Sequence, residues 1–424
     1  MMVQPRDDDR VRRTGGTTEV LHRLRREHRI RPPGPRLSLA GWRQASASAC
    51  LAFLALLCVG VFLLLALRLQ FEQLGAGFNP VAIVSAGAVL ALASLGAPLH
   101  LGEVEVAVIP LGALGVLGVA LIWSSSMRIA AVRKELGQRL GPLSHGALTG
   151  GIFGLLCLLA AVIFRFRGGP DPVFVGAFQA LLWGTVWGSL FGVLGALKSE
   201  VSGAVQITAL GRALENRSRV AYEGLSSALV MLLSGAVLSC AALLLWAIVA
   251  LVRDSVPIDL SWRSAAAALI YLVAFAPNVV LICLGLSMGA PVEVGGRISV
   301  AGNSFGRLAE YSLLDWGSAD TPAVAFVLLL IPLLAGVLGG GAAHRQAADK
   351  RAALEVVGAA ALWFGVLVLI LVALSEARLG AGLFGRRGVA RVAADPLSSG
   401  ALAAGWGAAL GWVGWKLQEW RSSR

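Results

Sequence analysis

The residues best suited to chemistry lie close together near position 100. His100, Glu103 and Glu105 fall within six residues, and two carboxylates beside an imidazole can bind a metal ion or move a proton. Glu103 and Glu105 are separated by a single residue, and no fourth metal ligand stands near them. The pattern therefore favours a solvated connection over a catalytic centre, and we predict no catalytic residue, no metal site and no cofactor.

Composition sets the environment of these residues. The 424 residues are 57% hydrophobic and 14% charged, with a mean hydropathy of +0.77, whereas an ordinary soluble domain carries roughly 25% charged residues. Charges cluster in short groups between long runs that contain none. This pattern excludes a soluble enzyme, a disulfide-rich secreted domain and a disordered chain. It indicates a polytopic helical membrane protein whose first partner is the lipid bilayer.

The net charge of +12 is concentrated at the N-terminus, where 11 of the 36 Lys and Arg residues fall in the first 43 positions. In a membrane protein such charge sets orientation and contacts anionic headgroups, so we expect no nucleic-acid partner. We interpret residues 1–43 as a disordered, basic cytoplasmic tail. We also assign the histidines to the segments between the apolar runs, which argues against an intramembrane histidine relay.

Ten apolar runs are long enough to cross about 30 Å of hydrocarbon, which needs about 20 helical residues. They predict an all-α membrane bundle of about ten helices. The runs span residues 44–67, 73–102, 106–127, 140–164, 172–197, 224–252, 264–292, 321–343, 356–375 and 396–415. Residues 198–223, between the fifth and sixth runs, are amphipathic and are predicted to lie along the membrane interface.

Three landmarks recur in the same order and divide the bundle into two internally repeated halves, 44–197 and 224–420. GAPLHLG at 96–102 is echoed by GAPVEVG at 289–295, and IPLGALGVLG at 109–118 by IPLLAGVLGG at 331–340. The third landmark is Gly192, Gly195 and Glu200, which matches Gly411, Gly414 and Glu419. Each echo alone is weak in a chain with 52 glycines. Together they favour a duplication, which is common in transporters.

Two topologies remain open. Ten full spans with a cytoplasmic N-terminus place 21 Lys and Arg residues inside and 15 outside. If the second and seventh runs instead enter and leave on the same face, the count becomes 25 inside and 11 outside, which fits the positive-inside rule better. Both arrangements place the two termini in the cytoplasm.

Some residues in or beside the runs are candidates for packing or function. Gly184, Gly188 and Gly192 repeat every fourth residue, as do Gly407 and Gly411, and such stripes let helix backbones approach closely. Pro277 and Asn278 interrupt the seventh run. Arg297 lies in the connection from Glu293 to Asp320, which mixes charged and aromatic residues and is our first choice for a partner-binding surface.

The segments GAPLHLGEVEVAVIPLGALG and YLVAFAPNVVLICLGLSMGAPVEVG resemble actinobacterial polytopic membrane proteins of the streptophobe type. They are also similar to PerM-type membrane proteins linked to cell division. The resemblance extends over residues 44–420 in architecture and over about fifty residues in recognisable pattern. It implies a non-enzymatic role in the envelope or in division, with other membrane proteins as partners.

We therefore expect an integral plasma-membrane protein without enzymatic activity that acts through lateral contacts with other membrane proteins or with itself. The alternative is a transporter or flippase-like carrier for an apolar or amphipathic substrate, which the repeat and Pro277-Asn278 favour. A third reading is a membrane-embedded enzyme that uses His100, Glu103 and Glu105.

Overall fold

A computed structural model describes most of the chain between residues 39 and 423. The described residues are 39–70, 80–101, 104–136, 142–165, 173–200, 218–252, 262–300, 303–305, 308–314, 327–346, 350–383 and 386–423. The tail up to residue 38 and most of the 198–223 segment lie outside them.

Ten helices make up most of the described chain. They are α1 (Leu39–Gln70), α2 (Pro80–Ala93), α3 (Leu111–Leu136), α4 (Pro142–Ile163), α5 (Ala177–Glu200), α6 (Arg219–Val252), α7 (Trp262–Ser287), α8 (Leu330–Gln346), α9 (Lys350–Ser375) and α10 (Pro396–Ser422). Eight of them are long and apolar enough to cross a membrane, namely α1 and α3 to α9. The predicted helical membrane bundle is thus confirmed.

The other two helices differ from this set. The described part of α2 has 14 residues, about 21 Å of helix at 1.5 Å per residue, which is shorter than the hydrocarbon layer. Helix α10 is long enough, with 27 residues, but its Gly-, Ser- and Trp-containing sequence is less apolar than that of the eight.

The sequence analysis misses eight β-strands. They are β1 (Leu99–Leu101), β2 (Val104–Val108), β3 (Val173–Val175), β4 (Val292–Val300), β5 (Asn303–Phe305), β6 (Leu308–Tyr311), β7 (Ala377–Leu383) and β8 (Arg386–Ala394). All pairings are antiparallel, in the order β3-β1-β2-β7-β8-β4-β5, with β6 also paired to β4. The connection that starts at Glu293, which we predicted to be a loop, is therefore largely strand up to Tyr311.

The sheet gathers four helix connections at one end of the bundle. The chain enters it from α2, α4, α7 and α9 and leaves it into α3, α5, α8 and α10. The other end of the bundle holds the C-termini of α3, α5, α8 and α10. The side-chain amide of Gln346 at the end of α8 donates to the hydroxyl of Ser226 at 3.2 Å, so α6 begins at this second end, which we call the distal end.

Each half has its own apolar core. In the first half, buried side chains of α1 to α5 surround Leu56, Leu92 and Phe153; in the second, side chains of α6 to α10 surround Met231, Leu284 and Phe364. The pairs α4–α5 and α9–α10 pack along much of their length. Contacts between the halves run mainly from α7 to α1 and α3.

Candidate functional site: the junction of the two halves

Asn278 binds backbone groups from three segments at the junction. Its side-chain oxygen accepts a hydrogen bond from the Leu111 N–H at 2.9 Å, and its amide nitrogen donates to the carbonyls of Ile109 at 2.7 Å and Ser375 at 3.3 Å. Leu111 is the first residue of α3, so the bond satisfies one of the N–H groups that a helix N-terminus leaves free. Asn278 is 6% exposed, and its polar atoms are therefore used inside the protein.

Pro277, next to Asn278, lies inside α7. Proline has no N–H, so the carbonyl of Val273, four residues earlier, lacks its usual helical donor. That carbonyl faces the first turn of α3. A Cβ at Gly112 would lie 1.9 Å from the Val273 oxygen, a distance that forces the backbones apart. Glycine at 112 is what lets α3 approach α7 this closely.

A backbone ladder joins the halves a second time. Strand β2 of the first half pairs with β7 of the second over five residue pairs, from Val104 opposite Ala381 to Val108 opposite Ala377. Because β2 and β7 lie inside the strand order, the sheet is continuous across the junction.

An equivalent turn closes α2 and α7. Gly96 and Gly289 have φ of 100° and 90°, the left-handed conformation that glycine adopts at helix ends. The N–H of Gly96 donates to the Ala93 carbonyl at 2.9 Å, and that of Gly289 to the Leu286 carbonyl at 2.8 Å. Each turn belongs to a Ser-x-Gly-Ala-Pro segment that leads into a strand.

Two tryptophans bind these turns in the same way. The indole N–H of Trp187 in α5 donates to the Leu95 carbonyl at 2.9 Å, and that of Trp406 in α10 donates to the Met288 carbonyl at 2.9 Å. Sequence reasoning missed both residues. Their spacing is the available signal, because 219 residues separate them, as they separate Gly192 from Gly411.

The glycines of α5 all face α4 at short range. A Cβ at Gly184 would lie 2.9 Å from the sulfur of Cys157, at Gly188 2.9 Å from Cα of Gly150, and at Gly192 3.2 Å from Cα of Gly146.

The glycines of α10 face α9 in the same register. A Cβ at Gly407 would lie 3.2 Å from Cα of Ala361, and at Gly411 3.2 Å from a methyl of Val357. Ala361 and Val357 follow Gly150 and Gly146 by 211 residues each, just as Gly407 and Gly411 follow Gly188 and Gly192 by 219.

Four charged side chains interact where the sheet meets α9. The Arg391 guanidinium donates to Glu376 at 2.5 Å and to Glu293 at 2.6 Å, and Arg378 donates to Glu376 at 2.5 Å. The hydrogen bond to Glu376 is the main reason that the pKa of Arg378 is raised. These ion pairs fasten β4, β7 and β8 to the end of α9.

The residues first considered for chemistry do not assemble into one described centre. His100 and Glu105 are paired across β1 and β2, Glu105 is exposed, and the His100 ring stacks on Phe174 with centroids 5.1 Å apart. Glu103 lies outside the described residues. Arg297 lies in β4 opposite Val389. Within the described part of the chain, no group of three His, Cys, Asp or Glu residues could hold a metal ion.

One histidine corrects the sequence analysis. His145 lies inside helix α4 and is 0% exposed, so the assignment of every histidine outside the apolar runs is wrong. Its Nε2 lies 3.3 Å from the hydroxyl of Thr149, and its Nδ1 has no hydrogen-bond partner among the described residues.

Two enzyme-like spacings lack the structure that the enzyme motif requires. Gly285 to Gly289 reads G-x-S-x-G, but Ser287 is buried at the end of a helix and its hydroxyl donates to the Leu284 carbonyl at 2.7 Å. A nucleophile elbow needs a strand-to-helix turn that exposes the serine. Gly380 to Gly385 reads G-x-G-x-x-G between two strands, where a dinucleotide site needs a following helix.

No protein-family model, curated protein or solved structure matches this chain.

Proposed function

We propose that this protein is a non-enzymatic membrane scaffold of the bacterial plasma membrane, built from two duplicated halves and acting by contact with other envelope or division proteins. The observation that carries the proposal is the double lock between the halves, which consists of the Asn278 bridge and the β2–β7 ladder. Backbone hydrogen bonds of this kind hold two bodies in one arrangement. A fixed arrangement suits a platform for other proteins.

The duplication rests on register. The two glycine turns, the two indole-to-carbonyl bonds and the α4–α5 and α9–α10 contacts occupy positions related by nearly constant offsets. The element order of the first half, with strands before α3 and before α5, recurs before α8 and α10. One landmark is displaced, since Pro110 precedes α3 whereas Pro332 is the third residue of α8. Proline is tolerated at both places because a helix leaves its first N–H groups unbonded.

The topology we propose has eight spans, with α2 and α7 entering and leaving at the sheet end. Helix α6 starts at the distal end, and by Gly235 it is level with Leu284, near the end of α7 at the sheet. Asn278, in the middle of α7, already contacts the sheet-end residues Leu111 and Ser375. With the sheet outside, 25 of the 36 Lys and Arg residues fall in the cytoplasm, as the positive-inside rule requires.

Labelling of single cysteines tests this topology. Glu310→Cys in the sheet should react with an impermeant maleimide on intact cells, whereas Ser422→Cys at the distal end should react only after permeabilisation. Labelling of both variants on intact cells would contradict the arrangement.

Photo-crosslinking in native membranes tests the scaffold role. A photoreactive amino acid at Val294, 39% exposed in the sheet, should yield one discrete protein adduct, while the same amino acid at Leu362, 70% exposed on α9, should yield lipid adducts. Lipid adducts alone at both positions would count against the proposal.

The alternative function is a carrier for an apolar or amphipathic substrate, and the repeated register is the observation that favours it. A carrier must move one half against the other. Hydrogen exchange separates the two functions, because amides of β2 and β7 in a scaffold should exchange as slowly as those of β4 and β8, which pair within one half. Faster exchange confined to β2 and β7 would favour the carrier.

A further inference from the structure

The sheet has a polar face that is defined by its register. Paired residues lie on the same face and neighbours along a strand alternate. The ladder therefore places Arg378 and Arg391 directly opposite each other on one face, together with Glu293. Glu105 of β2 lies on this face as well, opposite Gly380.

The hydrogen bonds made by Arg391 show how far an arginine on this face reaches. Its direct neighbours on the two flanking strands are Gly295 and Arg378. It bonds instead to Glu293 and Glu376, which lie two residues from those neighbours. Long side chains in antiparallel sheets commonly interact along such diagonals.

The same geometry gives Arg297 and Arg387 a different set of neighbours. Arg297 lies opposite Val389, so its diagonal positions on β8 are Arg387 and Arg391. Arg387 lies opposite Ser299 and Gly382. After Glu293, neither β4 nor β7 nor β8 contains an Asp or Glu.

We propose that Arg297, Arg387 and Arg391 form a binding site for a phosphate group on the polar face of the sheet. Like charges at neighbouring positions destabilise a sheet, and an anion between them offsets that repulsion. Three arginines without a lysine favour a planar oxyanion that two guanidinium groups bind with paired hydrogen bonds. Phosphate supplies up to two charges and several acceptor oxygens.

The site goes beyond the scaffold role and depends only on the sheet register. Its phosphate belongs either to a lipid headgroup or to a soluble compound, and both sources present the same chemistry to the three arginines.

Binding to the full-length chain in nanodiscs tests the site. One arm titrates inorganic pyrophosphate into nanodiscs of neutral phosphatidylcholine; the other counts phosphatidylglycerol adducts by native mass spectrometry. Pyrophosphate binding assigns a soluble ligand and adducts alone assign a headgroup; either supports the site if Arg297→Gln and Arg387→Gln each weaken binding about tenfold. A tenfold change corresponds to about 1.4 kcal/mol.

Arg386→Gln is the matched control. It removes the same charge from the adjacent position, which faces the other side of the sheet, and should change binding less than twofold. If Arg387→Gln lowers the melting temperature, Arg387→Lys replaces it, because lysine keeps the charge but loses the paired hydrogen bonds. Equal weakening by Arg386→Gln, binding of polyglutamate but not phosphate, or no binding in either arm would overturn the proposal.

Discussion

Asn278 and Leu111 stand 167 residues apart in the chain and are joined by a hydrogen bond of 2.9 Å from the Leu111 N–H to the Asn278 side chain. The bond ties the start of α3 in the first half to the middle of α7 in the second. Because Asn278 is buried, loss of its side chain leaves three backbone groups without their partner, at a cost of about 1–3 kcal/mol per unsatisfied group.

We therefore expect Asn278→Leu to lower the melting temperature of the detergent-solubilised protein by several degrees. Leucine has a similar size but no hydrogen-bonding atoms. Ser234→Ala is the control, since the Ser234 hydroxyl bonds only to carbonyls of its own helix, at Val230 and Met231, and should change the melting temperature much less. Equal effects of the two variants would mean that the Asn278 bridge does not stabilise the junction.

Gly112→Ala should weaken the junction through the backbone. The added Cβ would lie 1.9 Å from the Val273 carbonyl oxygen, so α3 and α7 must separate. Gly115→Ala, one turn further along α3, meets no atom within 4 Å and should stabilise the helix slightly, because alanine is the better helix former by about 1 kcal/mol. Thermal unfolding of both variants checks the prediction; a stable Gly112→Ala protein would refute it.

Trp187→Phe and Trp406→Phe should destabilise the protein by similar amounts. Each removes one indole N–H from a buried carbonyl while an aromatic ring remains, a loss of about 1 kcal/mol. Trp412→Phe is the control, because Trp412 is 49% exposed on α10. Calorimetry or fluorescence-detected melting measures all three, and unequal losses at 187 and 406 would show that the two turns are not equivalent.

Asp395 gives the fold a pH dependence near its ordinary pKa. Its carboxylate accepts the Ser398 N–H at 2.8 Å and caps α10, and hydrogen bonds to Ser398 lower its pKa. A lowered pKa in the folded state gives stability that is present above the unfolded value of about 3.9 and is lost as the pH falls through the folded value.

The difference in melting temperature between the native protein and Asp395→Ala should therefore be constant from pH 7 to pH 5 and shrink below pH 4. A cap of this kind contributes about 1 kcal/mol. A difference that grows on acidification would contradict the assignment of Asp395 as the cap.

The helices could be predicted from the sequence because a bilayer-length run without charge admits few other structures. The glycine turns at Gly96 and Gly289 and the glycine stripes were visible for the same reason, since each occupies several fixed positions. Segment boundaries were less accurate, as α2 shows.

The strands and the junction could not be predicted in this way. β1 and β3 have three residues each, too few for an alternating pattern to show. The partners of Asn278 lie 97 to 169 residues away, and no local pattern encodes such a distance. Pro277-Asn278 was noticed as a break in an apolar run, but only the packing of α7 on α3 shows what the asparagine binds.

Disulfide cross-linking across β2 and β7 tests the union of the two halves most directly. Val108 and Ala377 are register partners, and directly opposed Cβ atoms lie about 4.5–5.5 Å apart, close enough for a disulfide after small adjustment. In a variant without native cysteines, Val108→Cys with Ala377→Cys should cross-link fully in intact membranes. Val108→Cys with Val392→Cys, one strand further away, should not. Failure of the first pair, or equal cross-linking of both pairs, would contradict a sheet that is continuous across the two halves.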